Sequence, residues 1–331
     1  MSRLARIVES FSGKRIVVIG DAIADQFIYG EISRVSREAP VFILRHEHTE
    51  TTPGGAGNCA ANLAALGAKV ELMSVLGNDE PGKILYTKLR EAGVGCDGVS
   101  VSGERRTTTK VRVLAGQIHS TRQQVIRIDY DNEPDFSAEL QEMLSADITK
   151  SLPGADAVII SDYNYGVADP KIAEVVRKAI APAVPVLVDS RFRLSSFSDF
   201  TSATPNEDEV EQLLDVKPTD PAALELAAEQ LRQHLGYKAL LVTRGGNGMT
   251  LIEADTAPLH IDAVGSRQPL DVTGAGDTVI ATYALALASG ASFADAARLA
   301  NFAGGLVVMK RGTATVSTGE LVSVITQVTS E

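Results

Sequence analysis

Four short apolar runs constrain this chain more than any other feature. They are Arg15-Ile-Val-Val-Ile-Gly20, Ala157-Val-Ile-Ile-Ser161, Val184-Pro-Val-Leu-Val188 and Lys238-Ala-Leu-Leu-Val-Thr243. Each is too short for a helix and lacks the alternation of a half-exposed strand, so each predicts a strand buried on both faces. A further strand is expected over residues 70–75. Between them lie segments of helical character. Residues 54–67 read as a Gly-rich turn leading into a tightly packed helix; the others are 83–92, closed by Gly93, then 171–180 and 222–235. Repeated alternation of this kind predicts an α/β fold with a mostly parallel sheet covered on both faces. Ligands of such sheets bind beyond the carboxyl ends of the strands. Asp21, Asp162 and Asp189 fall at or beside such ends.

Two segments, about 26–51 and 107–129, alternate polar and apolar residues instead. Thr107-Thr-Thr-Lys-Val-Arg-Val-Leu114 and Gln124-Val-Ile-Arg-Ile-Asp129 are examples. They predict a small β-sheet projecting from the main layer as a lid, with a hairpin loop over 116–123. The whole chain, 1–331, is expected to form one domain carrying this lid.

The 331 residues include 31 Lys and Arg against 42 Asp and Glu, a net charge of −11. That balance disfavours nucleic acid and anionic membranes as partners, while a few local cations suffice for an anionic small molecule. The two cysteines, Cys59 and Cys96, form no C-x-x-C pair and are expected to be buried free thiols in a reducing cytosol. The five histidines are scattered without metal-ligand spacing. Met1-Ser-Arg-Leu-Ala-Arg6 is not followed by a long apolar stretch, and no apolar run approaches the roughly 18 residues of a membrane span. A cytoplasmic enzyme is the expectation.

Chemistry concentrates in Asp271-Val-Thr-Gly-Ala-Gly-Asp277, which is expected to end an extended stretch and open the apolar helix Thr278-Val-Ile-Ala-Thr-Tyr-Ala-Leu-Ala-Leu-Ala288. Gly274 and Gly276 let the backbone turn sharply and approach a ligand closely. Unpaired N–H groups of Gly274, Ala275 and Gly276 at a helix N-terminus suit the charge of a transferring phosphoryl group. An ionised Asp277 beside them is placed to take a proton from an attacking hydroxyl. A lone run of this kind reads more readily as an ordinary helix cap with a Gly turn, and its place between two acids, after a series of ligand-type loop ends, turns the reading toward function. G-x-x-x-x-G-K-[ST] is absent, which disfavours a P-loop ATPase. Gly54-Gly-Ala-Gly-Asn58 lacks the G-x-G-x-x-G spacing of a dinucleotide site, yet its amides and Asn58 suit polyol hydroxyls.

These segments resemble the two signatures of the ribokinase-like, or PfkB, carbohydrate kinases. They are Pro53-Gly-Gly-Ala-Gly-Asn-Cys-Ala-Ala-Asn-Leu-Ala-Ala-Leu-Gly67 and Asp271 to Asp277, in the family's order. Thr204-Pro-Asn-Glu-Asp-Glu209 and Thr243-Arg-Gly-Gly-Asn-Gly248 resemble two further family motifs. The resemblance implies a ribokinase-like three-layer α/β/α fold. Gly20-Asp-Ala-Ile-Ala-Asp25, Ser33-Arg-Val-Ser-Arg-Glu-Ala-Pro-Val41 and Ser161-Asp-Tyr-Asn-Tyr-Gly166 are similar to the heptose-phosphate kinase branch, which serves lipopolysaccharide core synthesis. That branch often carries an adenylyltransferase half. The sequence ends soon after Ser317, and no such half is expected within it. Arg37 departs from the branch pattern, where a proline is expected, and Asp189-Ser-Arg191 stands where Asp-Pro-Lys is expected.

The resemblance implies transfer of a phosphoryl group from ATP to the anomeric hydroxyl of a heptose 7-phosphate, with Asp277 as base. Fructose, ribose, a sugar acid or a nucleoside are alternative acceptors, and a non-catalytic sugar-binding protein is a second reading. Asn206 and Glu209 are expected to act on Mg²⁺ through water. Thr243 and Gly245 would line the nucleotide phosphates, Gly248 a turn and Asn301 the adenine; Asn301 lies in a helix preceding Gly304-Gly305. Asp271, with Thr273, would order the loop or an adjacent monovalent cation such as K⁺. Asp21, Asp25, Gly54, Gly55 and Asn58 are the candidate sugar ligands. Arg34, Lys110, Arg112 and Arg127 are candidates for the distal phosphate, against a solvated lid face. The lid's edges and apolar face suggest a homodimer.

Overall fold

A computed structural model of the chain describes residues 2–116, 122–215, 220–265 and 268–328. Its strands, in chain order, are β1 (Arg15–Gly20), β2 (Ala22–Val35), β3 (Phe42–Gly55), β4 (Lys69–Gly77), β5 (Val99–Ser102), β6 (Thr109–Gly116), β7 (Gln123–Tyr130), β8 (Ala157–Asp162), β9 (Val186–Ser190), β10 (Ser202–Ala203), β11 (Ala239–Thr243), β12 (Met249–Glu253) and β13 (Leu259–Ile261). Its helices are α1 (Arg3–Glu9), α2 (Ala56–Ala65), α3 (Glu80–Glu91), α4 (Ala138–Ser151), α5 (Pro170–Ala179), α6 (Glu207–Leu214), α7 (Pro221–Leu235), α8 (Ala275–Ala288), α9 (Phe293–Val307) and α10 (Thr318–Val328). The hairpin loop expected over 116–123 falls largely on 117–121, outside the described residues.

The apolar runs form the centre of one large sheet, ordered β13-β12-β11-β10-β9-β8-β1-β4-β5. From β5 to β11 neighbours pair in parallel, and β12 and β13 close the edge as antiparallel strands. The alternation along β1 explains why its sequence is apolar throughout. Ile16 and Val18 join a core with Leu63 of α2, Ile280 of α8 and Leu299 of α9. Val17 and Ile19 point the other way, into a core with Ile148 of α4, Val176 of α5 and Leu231 of α7. Helices therefore cover both faces, giving the three-layer α/β/α arrangement. Both cysteines are buried, Cys59 in α2 and Cys96 beside β5, and burial pushes both thiols up. No helix among the described residues is long and apolar enough to cross a membrane.

Chain order runs outward from β1 in both directions, through β4 to β5 and through β8 to β11. The reversal between β1 and β8 opens a crevice beyond their carboxyl ends, where a ligand enters without blocking a crossover. A second sheet, ordered β3-β2-β6-β7, stands where the lid was expected. It is mixed: β2 pairs with β6 in parallel, and the outer pairs are antiparallel. Its register places Asp25, Lys110 and Asp129 in one cross-strand row and Phe27, Arg112 and Arg127 in the next row on that face. Gln26, Val111 and Ile128, then Ile28, Val113 and Ile126, occupy the opposite face.

Two expectations need correction. The segment before Gly274 is an irregular loop closed by a turn, because its amides bond locally and to Val308 instead of to a neighbouring strand. Gly304 and Gly305 lie inside α9, not after it, because α9 packs closely there: a Cβ on Gly305 would collide with the backbone of Val264.

Candidate active site

Helix α8 starts at Gly274, whose φ of 74° and ψ of 11° are left-handed and suit glycine. A Cβ there would strike the side-chain amide of Asn58. The amide of Ala275 donates to the carbonyl of Val272 at 3.2 Å and is spent locally. The amides of Gly276 and Asp277 have no partner among the described residues, and the space beside Gly276 is open. The Gly274 amide likewise has no partner among the described residues, so of the expected set, Gly274, Ala275 and Gly276, only Ala275 is engaged locally.

Asp277 lies in the first turn of α8 with 2% of its surface exposed. Asn58 of α2 donates to its Oδ2 at 2.9 Å, and the Tyr163 hydroxyl donates to its Oδ1 at 2.9 Å. Burial pushes this carboxyl up to about 7, and the charge of Asp25 adds to the rise. The Asn58 and Tyr163 bonds and the Lys110 charge oppose it. A base of that proton affinity is half-ionised near neutrality and still able to take a proton. Asn58 is held in turn by Asn62, which donates to the Asn58 carbonyl at 3.0 Å and to its Oδ1 at 3.1 Å.

The candidate sugar ligands divide. Gly54 and Gly55 end β3 and approach other groups as only glycine permits. A Cβ on Gly54 would strike the Asp25 carboxylate, and Gly55, at φ 55°, would strike the Asp21 carbonyl. Asp25 is 5% exposed and ion-paired with Arg112; burial raises its proton affinity while Arg112 opposes the rise. Asp21 is 2% exposed, and backbone amides occupy its carboxylate. Its Oδ2 accepts from the amides of Tyr163 at 2.9 Å and Tyr165 at 3.1 Å, and its Oδ1 from Val167 at 3.0 Å.

The four cations nominated for a distal phosphate also separate. Lys110 is 8% exposed, with its ammonium 5.4 Å and 5.9 Å from the ring centroids of Tyr163 and Tyr165. Burial lowers its pKa, and Arg191 and Arg127 lower it further, against Asp25 and Asp129. Arg112 is committed to Asp25, and Arg127 to Asp129 at 2.9 Å. Arg34 is exposed near the end of β2, beside Ile43, on the order of 30 Å along the strand from Asp25 at ~3.3 Å per residue. The structure does not bring Arg34 to the other three.

On the other side of α8, Thr243, Gly245, Gly248 and Asn301 line one cleft of about 220 Å³ together with Ala263, Val264, Pro269, Val272 and Val279. Gly276 lines it too, so the cleft reaches the cradle. Gly248, at φ 83°, makes the turn after β11. Asn301 donates its amide to the Asp262 carbonyl at 2.8 Å, which leaves its oxygen for the cleft. Asp271 orders its loop: its oxygens accept from the amides of Thr273 and Gly312, each at 2.9 Å. Burial alone would raise its pKa, yet those bonds hold it below the usual range. Asn206 and Glu209 form a reciprocal cap on α6, with Asn206 Oδ1 accepting at 2.8 Å and Glu209 Oε2 at 2.9 Å. Beside them, burial and the charges of Glu209, Asp277 and Asp162 push Asp189 well above the usual carboxylate range, with Arg191 opposing. Asp162 is structural, bound by Arg193 at 2.6 Å and Ser190 at 2.7 Å.

Sequence reasoning missed Tyr163 and the apolar wall of the cleft. An aromatic hydroxyl directly after β8, beside the crevice, was the available signal for the first. Val264, Pro269 and Val272 carry no chemical signal at all.

Residues 14–319 match the profile described as pfkB family carbohydrate kinase. The bifunctional protein HldE of Caulobacter vibrioides is 43% identical over 325 residues, 96% of this chain and 65% of that protein. The chain therefore spans about two thirds of the length of such bifunctional relatives. The D-beta-D-heptose 7-phosphate kinase of Bordetella bronchiseptica is 40% identical over 314 residues, covering 95% of this chain and 96% of that one. The structure of Arabidopsis thaliana ribokinase complexed with ribose and ATP superimposes with a TM-score of 0.73 at 22% identity, over 95% and 99% of the two chains, which places the fold among ribokinase-like ones. With both signatures folded against each other through Asn58 and Asp277, the chain belongs to the pfkB family of carbohydrate kinases.

Proposed function

We propose that this chain phosphorylates the anomeric hydroxyl of D-glycero-D-manno-heptose 7-phosphate, using ATP, to give the 1,7-bisphosphate. One observation carries the reading: 40% identity runs along 95% of the chain to a protein named as a heptose 7-phosphate kinase, of nearly equal length. The buried acid beneath an open amide cradle agrees with it.

The residues present fit ATP. An apolar cleft walled by Ala263, Val264 and Val279 suits a purine, and glycines at 245, 246 and 276 leave open the space that side chains would fill. Bound ATP would supply the phosphoryl group, and Asn206 and Glu209 would hold Mg²⁺ through water, where it would neutralise part of the phosphate charge. The chain's own residues do the rest. Asp25, Gly54 and Gly55 hold the sugar, and Asp277 accepts the proton of its attacking hydroxyl. The amides of Gly276 and Asp277 donate to the anion that develops at the helix N-terminus. The second sheet closes over the crevice and keeps water, a competing acceptor, away. Lys110, buried and in no ion pair among the described residues, is the best-placed anchor for the sugar's distal phosphate.

The Asp271 loop, closed on Thr273 and Gly312, is the place for a K⁺ ion. The outer face of the second sheet, with Ile126 and Ile128 52% and 42% exposed, is the proposed homodimer contact. The enzyme would work in the cytoplasm, on a precursor of lipopolysaccharide core heptose. An ADP-release screen tests the substrate: heptose 7-phosphate against fructose, fructose 6-phosphate and ribose. A preference for any of the latter by kcat/KM sinks the heptose reading, and ATP binding without sugar-dependent ADP release favours the non-catalytic alternative.

A further inference from the structure

The loop that follows β8 has no regular structure, yet it is held firmly. Asp162 Oδ1 accepts from the amide of Asn164 at 3.0 Å, and Asn164 takes a left-handed φ of 64°. Gly166 follows at φ 103°, where a Cβ would collide with the Pro134 carbonyl. This winding turns the amides of residues 163, 165 and 167 toward one point. Asp21 occupies that point and accepts all three, with 2% of its surface exposed. Arg105 clamps the outside by donating to the Tyr165 carbonyl at 2.7 Å, and the Tyr165 hydroxyl donates to Asp131 at 2.7 Å.

The consequence is the position of one side chain. With its amide fixed on Asp21, Tyr163 reaches across the crevice and donates its hydroxyl to Asp277 at 2.9 Å. Its ring lies 3.2 Å from where a Cβ on Gly55 would stand, so the glycine makes the passage possible. We infer that Tyr163 is a positioning residue for the proton-accepting carboxylate, and that Asp21 fastens Tyr163 in place instead of binding the sugar. The inference rests on reading Asp277 as the base.

The chemistry follows from burial. A carboxylate withdrawn from water favours its neutral form, and a neutral acid cannot accept a proton. Asn58 on Oδ2 and Tyr163 on Oδ1 both favour the ionised form, from opposite sides. One lone pair on each oxygen remains for the substrate hydroxyl. The other groups facing Asp277 are Cys59 of α2, Asp25 and Lys110 of the second sheet, and Asp189 of β9. Of these Lys110 alone favours the ionised form, and its ammonium lies 5.4 Å from the centroid of the Tyr163 ring. Unlike Lys110, Tyr163 is a donor that a change can remove without altering any charge, and unlike Asn58 it does not also hold the Gly274 carbonyl.

Tyr163→Phe keeps the ring and deletes the donor. The expected result is a lower kcat near neutrality and an acid limb of kcat/KM that moves up by roughly 1–2 pH units, with KM for ATP unchanged. Asp21→Asn supplies a single acceptor for three amides, and the limb is expected to move the same way while the sugar KM stays within about threefold. A ¹³C NMR titration of the Asp277 carboxyl carbon, assigned by its loss in Asp277→Asn, reads the same displacement without any sugar. An unmoved titration in folded Tyr163→Phe overturns the inference. So does an Asp21→Asn enzyme whose sugar KM rises tenfold or more, about 1.4 kcal/mol, at an unmoved limb. An upward titration in a protein that proves inactive on every sugar sinks the proposed function and leaves the positioning role standing.

Discussion

The side-chain amide of Asn58 donates to Oδ2 of Asp277 at 2.9 Å and to the Gly274 carbonyl at 3.2 Å. One residue thus ties the glycine-rich start of α2 to the first turn of α8. It fixes both the acid and the turn at the N-terminus of α8. Asn58→Asp removes the donor and sets a second carboxylate against the first, and like charges so close push the shared proton affinity up. Turnover near neutral pH is expected to fall by about 10²-fold, with partial recovery at alkaline pH. An ADP-release assay across pH reads this, and a flat ratio of variant to wild type across pH argues against the coupling.

Asp277 itself joins activity to stability with opposite signs. Asp277→Asn is expected to lower kcat by about 10²–10⁴-fold while ATP affinity, measured calorimetrically, stays near wild type. Burial raises the carboxyl from 3.8 to about 7, so the folded state holds the proton more tightly than the unfolded chain. The stabilisation linked to that proton is complete below about pH 4 and lost as pH rises through about 7. Asn carries no such loss. The variant is expected to gain stability over wild type near pH 8, by up to on the order of 4 kcal/mol, with the gain shrinking toward pH 5. Urea unfolding at the two pH values measures it.

How much of this was legible depended on whether a residue's neighbours in sequence decide its role. Ile16 to Ile19 read correctly because a strand with both faces buried is apolar at every position. The antiparallel edge, β12 and β13, and the two-residue β10 did not, since such short strands form only against a sheet already present. Asp277 was legible from the glycines beside it. The three amides that Asp21 accepts were not legible, because a carboxylate at a strand end looks the same in sequence whether it meets a sugar or a loop's amides. The pairing of Arg112 with Asp25 needed the strand register, which no local pattern encodes.

In the proposed mechanism Lys110 separates a sugar phosphate from a sugar. Lys110→Met keeps much of the buried volume and removes the charge. KM for heptose 7-phosphate is expected to rise by about 10–100-fold, with little change for an unphosphorylated sugar acceptor. Equal losses on both substrates would assign Lys110 to Asp277 and Asp25, whose charges it also faces.

Asn206 and Glu209 serve α6 and, in the proposed mechanism, Mg²⁺. Asn206→Ala removes an acceptor for the Glu209 amide and is expected to cost about 1 kcal/mol of stability. Glu209→Gln preserves the reach back to the Asn206 amide and so is expected to leave the melting temperature nearly unchanged. If the carboxylate also orders metal-bound water, that variant needs severalfold more Mg²⁺ for half-maximal rate. Mg²⁺ titrations at saturating ATP compare the two variants, and a Glu209→Gln enzyme with a wild-type Mg²⁺ requirement reduces the pair to a helix cap.

Gly274 and Gly276 sit two residues apart and are expected to fail differently. Gly274 holds a left-handed φ of 74°, and a Cβ there collides with the Asn58 amide. Gly274→Ala is therefore expected to lose about 1–3 kcal/mol of stability along with activity. Gly276 is helical, and a Cβ on it meets nothing within 4 Å. Gly276→Ala is expected to keep or raise the melting temperature, since alanine in a helix is favoured over glycine by up to ~1 kcal/mol. Its methyl group would still enter the open space beside the cleft proposed for the nucleotide. A fall in kcat of about 10-fold or more in a protein at least as stable as wild type is the expected signature of that obstruction. A Gly276→Ala enzyme with unchanged kcat and KM for ATP would remove the α8 N-terminus from the phosphoryl-transfer path.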